Sequence, residues 1–258
     1  MYPNFKTKPF DHQLQALGCS WDKTNFAYFM EMGTGKSKVL IDNIAMLYDQ
    51  KKINSAVVIA PKGVYRNWER LEIPIHLPDH IETRVTTWVA PSSRTKVDTK
   101  NMDELSKTFQ GLDIFLMNIE ALSSRPAAEY LARYLNSTNA MLAIDESTTI
   151  KSNTAGRTKN ILKAAKFAKY RRILTGSPVT KNPMDLYTQC QFLDEDLLGF
   201  SSYWAFKSRY AIEVKRHTGS HSFSQLVGFR NLDELSKKLS SFSYRVLKED
   251  CLDLPPKI

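Results

Sequence analysis

The segment Met32-Gly33-Thr34-Gly35-Lys36-Ser37 follows an apolar run and precedes an amphipathic one. Its glycines, lysine and hydroxyl suit phosphate binding. Glycines let backbone N–H groups turn toward an anion, and a helix starting there adds the positive end of its dipole. In that setting Lys36 would reach the β- and γ-phosphates of a nucleotide, and Ser37 would ligate Mg2+. The full G-x-x-x-x-G-K-[ST] pattern is not met, because Met30 occupies the first glycine position. Such a loop also needs a metal carboxylate at the end of a neighbouring strand. Met141-Leu142-Ala143-Ile144-Asp145-Glu146 supplies one. Asp145 would hold Mg2+ directly or through water, and Glu146 would orient and activate the attacking water. Either segment alone could be an ordinary turn or cap; the two together point to hydrolysis of ATP.

Two further segments take their meaning from these. Leu174-Thr175-Gly176-Ser177-Pro178 ends another apolar run and is, by composition, a turn. Upstream of the loop, Pro9-Phe10-Asp11-His12-Gln13 offers the Gln13 amide, whose paired donor and acceptor could read an adenine edge.

Strands are expected at Asn25–Met30, Ser55–Ala60, Arg84–Val89, Asp113–Asn118, Ala140–Ile144 and Arg171–Thr175. Helical patterns lie between them, at Lys36–Asp49, Val64–Leu71, Met102–Phe109, Ala127–Leu135 and Ala155–Lys169. This alternation predicts an α/β fold, a mostly parallel sheet with helices on both faces. Runs such as Ala56–Ala60 and Met141–Ile144 are apolar at successive positions, as befits strands buried on both sides. The polar stretch Pro91–Asn101 reads as a surface loop. After Leu193 the character changes. Phe200–Arg230 is aromatic and basic with no strong strand, and Asn231–Ser240 reads as a short helix with Asn231 as its N-cap. We therefore expect an ATP-binding lobe over 1–195 and a mainly helical, basic extension over 196–258. The double proline Pro255-Pro256 reads as a linker leading elsewhere.

A chain of 258 residues with 42% hydrophobic and 24% charged residues can bury a full globular core. Its net charge of +9 favours a polyanionic partner, since basic grooves gain affinity by releasing counterions from phosphates. Cys19, Cys190 and Cys251 are widely spaced, which argues against a disulfide framework or a zinc site. No secretory signal and no apolar run of membrane-spanning length is visible. A soluble, intracellular (cytoplasmic) protein that contacts no membrane is expected.

Taken in order, Gln13, Gly33–Ser37, Val57–Trp68, Asp113–Leu122, Ala143–Thr148 and Ile173–Tyr187 resemble the Swi2/Snf2 branch of helicase superfamily 2. Asn231–Leu235, Tyr244–Lys248 and Leu254–Lys257 are similar to the end of that branch's first lobe. The resemblance runs from about Lys8 to Lys257, and Phe206–Tyr210 with Val227–Asn231 looks nearest to the annealing-helicase subgroup. It implies a RecA-like lobe, an ATPase and translocation on double-stranded DNA. By position, Met32 to Ser37 match motif I, Asp145 and Glu146 motif II, and Thr175, Gly176, Ser177 and Pro178 motif III, which couples nucleotide to movement. Pro61, Lys62 and Trp68 fall in motif Ia and Asn118 in motif Ib, where family members touch the DNA backbone; Lys151 matches the basic residue after motif II. The chain departs from the family at Ser147-Thr148 after the motif II acids, at Ser177, at Met30 and at Val246.

Motors of this kind complete the site with arginines from a second RecA-like lobe, worth about 10³–10⁵ in turnover in P-loop NTPases. No second such sheet fits after motif III, so the second lobe is expected as a partner within the same polypeptide, and the chain alone as a weak ATPase. The alternatives are an RNA or single-stranded DNA helicase, or a nucleotide-gated switch that binds nucleic acid. Glu146 argues against the switch, which needs no water activator.

Overall fold

The computed structural model describes residues 4–218 and 221–251. Its frame is a seven-stranded sheet in the order β3-β4-β2-β5-β6-β1-β9. The strands are β1 (Asn25–Met30), β2 (Ser55–Ala60), β3 (Thr83–Thr87), β4 (Leu112–Asn118), β5 (Ala140–Asp145), β6 (Tyr170–Leu174) and β9 (Ser243–Val246), and every pairing is parallel. A separate antiparallel hairpin joins β7 (Ala211–Thr218) to β8 (His221–Phe229).

Burial on both faces explains the apolar runs. Along β2, Val57 and Ile59 enter one core while Ala56, Val58 and Ala60 enter the other. On the first face lie α5 (Lys96–Leu105), α6 (Arg125–Ser137), α7 (Gly156–Ala165) and α8 (Leu186–Leu193). On the second lie α1 (Asp11–Ser20), α2 (Lys36–Asp49) and a helical stretch made of α3 (Tyr65–Asn67), a π-helical turn (Trp68–Glu72) and α4 (Ile73–His76). Among the described residues no helix is long and apolar enough to cross a membrane.

The sheet expectation holds, with boundaries shifted by a residue or two at several strands. The stretch Pro91–Asn101 is not a loop. It contains a 3-10 turn at Pro91–Ser93 and the first part of α5, which Thr95 starts by accepting the Asp98 N–H at 3.1 Å. Capping outweighs the low hydrophobicity of the segment.

The extension after Leu193 also differs from a helical tail. It holds α9 (Tyr203–Tyr210), α10 (Leu232–Ser240) and α11 (Lys248–Cys251), but its middle is the hairpin and its last strand, β9, joins the sheet beside β1. The hairpin escapes sequence reading because its apolar residues, Ile212, Val214, Phe223, Leu226 and Val227 among them, stay exposed; away from Ala211 and Phe229, which reach the core, each strand is stabilised mainly by the other. Asn231 does precede α10. Its φ is +55°, and its amide donates to the Arg209 carbonyl at 2.9 Å instead of capping the helix. Cys19, Cys190 and Cys251 are free thiols.

A parallel sheet sends all its strand-to-helix loops out at one edge. β1, β2, β4, β5 and β6 therefore deliver the loops at Glu31, Pro61, Ile119, Glu146 and Thr175 to the same carboxyl edge. β6 lies between β1 and β5, which places Thr175 between the glycine loop and Glu146.

Candidate active site

The glycine loop leaves β1 at Met30 and enters α2 at Lys36. Gly33 (φ +88°) and Gly35 (φ +81°) adopt the left-handed region that side chains disfavour. A Cβ on Gly35 would stand 2.2 Å from Gln13 Nε2, so the position excludes any side chain twice over. Thr34 ties the loop to its own base, donating its hydroxyl to the Glu31 carbonyl at 2.8 Å. The Thr34 carbonyl in turn accepts Gln13 Nε2 at 3.1 Å and His12 Nε2 at 2.8 Å, while Gln13 Oε1 accepts the Phe10 N–H at 3.0 Å. Both ends of the Gln13 amide are thus engaged, and the residue is buried. As it stands it clasps α1 to the loop.

At the other side of the site, Lys36 Nζ lies 3.1 Å from Glu146 Oε1. Glu146 sits at φ +52°, a left-handed conformation unusual for a residue with a side chain. Such strain tends to persist where the surroundings demand one orientation. Its backbone N–H donates to Asp145 Oδ1 at 3.0 Å, and its Oε2 is 3.4 Å from the Thr175 hydroxyl. Thr175 Oγ1 also accepts the Ser177 N–H at 3.2 Å. A polar chain therefore runs from Ser177 through Thr175 and Glu146 to Lys36. Gly176 completes the contact from the same turn. A Cβ there would lie 3.2 Å from the Met32 nitrogen, so the turn packs directly on the base of the glycine loop.

Asp145 is 4% exposed. Burial raises its carboxyl above the usual range; Lys36 opposes this and the neighbouring Glu146 adds to it. Its Oδ2 accepts the Trp68 indole N–H at 3.1 Å, and among the described residues it makes no ion pair of its own. A buried carboxylate oriented by two N–H donors, with Lys36 nearby but not paired to it, suits a divalent metal. Ser37, half-buried in the first turn of α2, offers a hydroxyl from the loop side. One carboxylate and one hydroxyl fit Mg2+, which takes its remaining ligands from phosphates and water.

The residues expected to touch nucleic acid divide. Lys62 is exposed after β2, its N–H donating to Glu120 Oε2 at 3.1 Å. Asn118 ends β4 with its amide oxygen accepting the Ala121 N–H at 2.8 Å. Lys151 is a third exposed to solvent, contacts the Thr180 hydroxyl and lies 3.9 Å from Asp185. Trp68 is a correction. At 1% exposure it cannot face a polymer, and its indole serves Asp145 instead. An isolated tryptophan in a helical pattern signals burial, and a buried indole N–H requires an acceptor; sequence cannot say which one.

Glu31 was not singled out by sequence. Its backbone N–H donates to the Val246 carbonyl at 3.0 Å, its carbonyl holds Thr34, and its carboxylate accepts the Lys248 N–H at 2.6 Å.

Residues 22–258 match the SNF2-related domain. The chain is 28% identical to the DNA annealing helicase and endonuclease ZRANB3 of Bos taurus, over 88% of this chain and 20% of that protein. It is 29% identical to Protein CHROMATIN REMODELING 20 of Arabidopsis thaliana, over 94% of this chain and 16% of that one. The chain thus spans about a fifth of these relatives. Among solved structures, the Sulfolobus solfataricus SWI2/SNF2 ATPase core in complex with dsDNA superposes with a TM-score of 0.68 at 22% identity, over 96% of this chain and 46% of that chain. At that identity the likeness is one of fold. A glycine loop, an acidic pair and a Thr-Gly-Ser turn thus converge at one edge of a parallel sheet, and with the domain match they place this chain in the SNF2-related family of helicase superfamily 2 ATPases.

Proposed function

We propose that the chain binds ATP with Mg2+ through its glycine loop and acidic pair, and that a second RecA-like lobe of the same polypeptide completes it as a translocase on double-stranded DNA. The observation that carries this reading is the Lys36–Glu146 contact at 3.1 Å, with Thr175 on the other carboxylate oxygen. The ammonium of Lys36 pairs with Glu146. Phosphate oxygens compete for the same ammonium, and their arrival frees Glu146 to accept a proton from water. Thr175 then holds the carboxylate from the motif III side, so any movement of that turn changes the position of the base. Asp145 and Ser37 would hold Mg2+, which neutralises charge on the phosphoryl oxygens. Trp68 fixes the Asp145 carboxylate toward that position. Lys62, Asn118 and Lys151 lie on loops of the same edge and supply candidate contacts to a phosphate backbone, with the +9 net charge in support.

The test is the ATPase rate of this chain and of a two-lobe form, each with no polymer, duplex DNA, single-stranded DNA or RNA. The expected result is a slow chain, a two-lobe form faster by orders of magnitude, and strongest stimulation by duplex. A chain as fast as the two-lobe form rejects the need for a second lobe. Stimulation by RNA or single strands alone moves the polymer assignment to another class.

A further inference from the structure

The tail segment after α10 was recognisable only as a family likeness, yet it ends at the glycine loop. β9 pairs in parallel with β1, Met30 against Val246, so the chain leaving β9 runs out at the same edge as the loop leaving β1. Glu31 fastens the two together, donating its N–H to Val246 and accepting the Lys248 N–H on its carboxylate at 2.6 Å. Lys248 is half-buried, and its side chain lies directly over Gly33. A Cβ built on that glycine would stand 3.3 Å from Lys248 Cε and 3.6 Å from Nζ. Gly33 holds φ +88°, so no side chain intervenes between the loop and this ammonium.

We propose that Lys248 is a second phosphate-binding lysine, delivered from the tail to the glycine loop at Gly33. The inference rests on the assignment of this loop to ATP. Loops of this kind bind through backbone N–H groups and one lysine on the following helix. Here a further ammonium reaches the loop from a strand distant in sequence. Because Glu31 anchors that strand to the base of the loop, phosphate held by Lys248 also fixes the tail to β1.

Calorimetric titration of ATP-Mg2+ into the chain and its variants tests this. Lys248→Ala should weaken ATP binding about ten-fold, the scale of one charge-assisted contact to phosphate, with the melting temperature unchanged. Lys248→Arg should restore most of the affinity, because charge rather than shape is required. Lys248→Ala should also flatten the salt dependence of binding, a readout that a purely structural lysine would not move. An unchanged affinity overturns the proposal. A tighter affinity also overturns it, since Lys248 would then be a plug that competes with phosphate. Lys36→Ala, run in parallel, separates the two readings. If it abolishes binding while Lys248→Ala does nothing, only the Lys248 assignment fails. If neither variant alters binding, the ATP site itself has been misplaced.

Discussion

The Trp68 indole N–H donates to Asp145 Oδ2 at 3.1 Å, joining a π-helical turn on one face of the sheet to the end of its central β5 strand. The π turn adds a residue to the helix, and such bulges recur at functional sites because they re-aim a side chain without breaking the helix. A phenyl ring removes the donor while keeping an aromatic side chain in the core, at some loss of buried volume. Trp68→Phe should lower stability by at least about 1 kcal/mol, the net worth of one hydrogen bond, and raise the Mg2+ concentration needed for ATP binding. DNA affinity should not change, because the side chain is buried. Titrating Mg2+ against nucleotide binding in wild type and variant checks this; a selective loss of DNA affinity would restore Trp68 to the nucleic-acid surface.

Lys36 and Glu146 should separate binding from chemistry. Lys36→Ala removes the proposed phosphate ligand and should reduce ATP affinity to the detection limit. Glu146→Gln removes the negative charge that pairs with Lys36. It should bind ATP-Mg2+ at least as tightly as wild type, yet hydrolyse it about 10²–10⁴-fold more slowly in the two-lobe protein, as expected for loss of a general base. Single-turnover rates decide the matter, and hydrolysis at the parental rate would remove Glu146 from the role.

Asp42 should give the fold a distinctive acid limb. It is buried beside Lys38, whose ammonium is 2.6 Å away, while its Oδ1 has no hydrogen-bond partner among the described residues. Burial outweighs Lys38 and raises the carboxyl to about 6. The unfolded chain releases this proton near the ordinary aspartate value, whereas the folded chain keeps it to higher pH. Between roughly 4 and 6 the native state therefore binds more protons, and this group's contribution makes stability fall as pH rises. Urea midpoints across that window should show this component in wild type and lose it in Asp42→Asn.

Arg172 fastens the sheet at its opposite edge. It is fully buried in β6, and its guanidinium donates to Asn43 Oδ1 at 2.9 Å and to the carbonyls of Thr24, Arg171, Ser20 and Lys23 at 2.7–3.1 Å. All five N–H donors of the group are used. Among the described residues no carboxylate is ion-paired with it, and burial lowers the affinity of the group for its proton, opposed chiefly by Tyr28. Arg172→Leu would leave several buried carbonyls unpaired and should cost at least about 3 kcal/mol, at 1–3 kcal/mol for each orphaned group. Chemical denaturation measures it. A change under 1 kcal/mol would mean that water replaces the guanidinium.

The candidate site of this protein is legible in short segments because it depends on local backbone. Gly33 and Gly35 announce a turn that only glycine accepts, Lys36 and Ser37 stand at the start of an amphipathic helix, and Asp145 and Glu146 end an apolar strand. The same locality made the parallel sheet readable, since strands buried on both faces must be apolar at every position. What the sequence left undecided lies in contacts between distant segments. Whether Trp68 faced solvent or Asp145 depended on how the turn after β2 packs against β5. The apolar side chains of the β7–β8 hairpin stay exposed, because its two strands satisfy their backbone groups against each other rather than against the sheet. β9 is a short strand whose place beside β1 brings Lys248 over Gly33. Neither the pairing nor the approach is encoded by spacing, because hydrogen bonds and ion contacts form between residues that neighbour one another only after the sheet has closed.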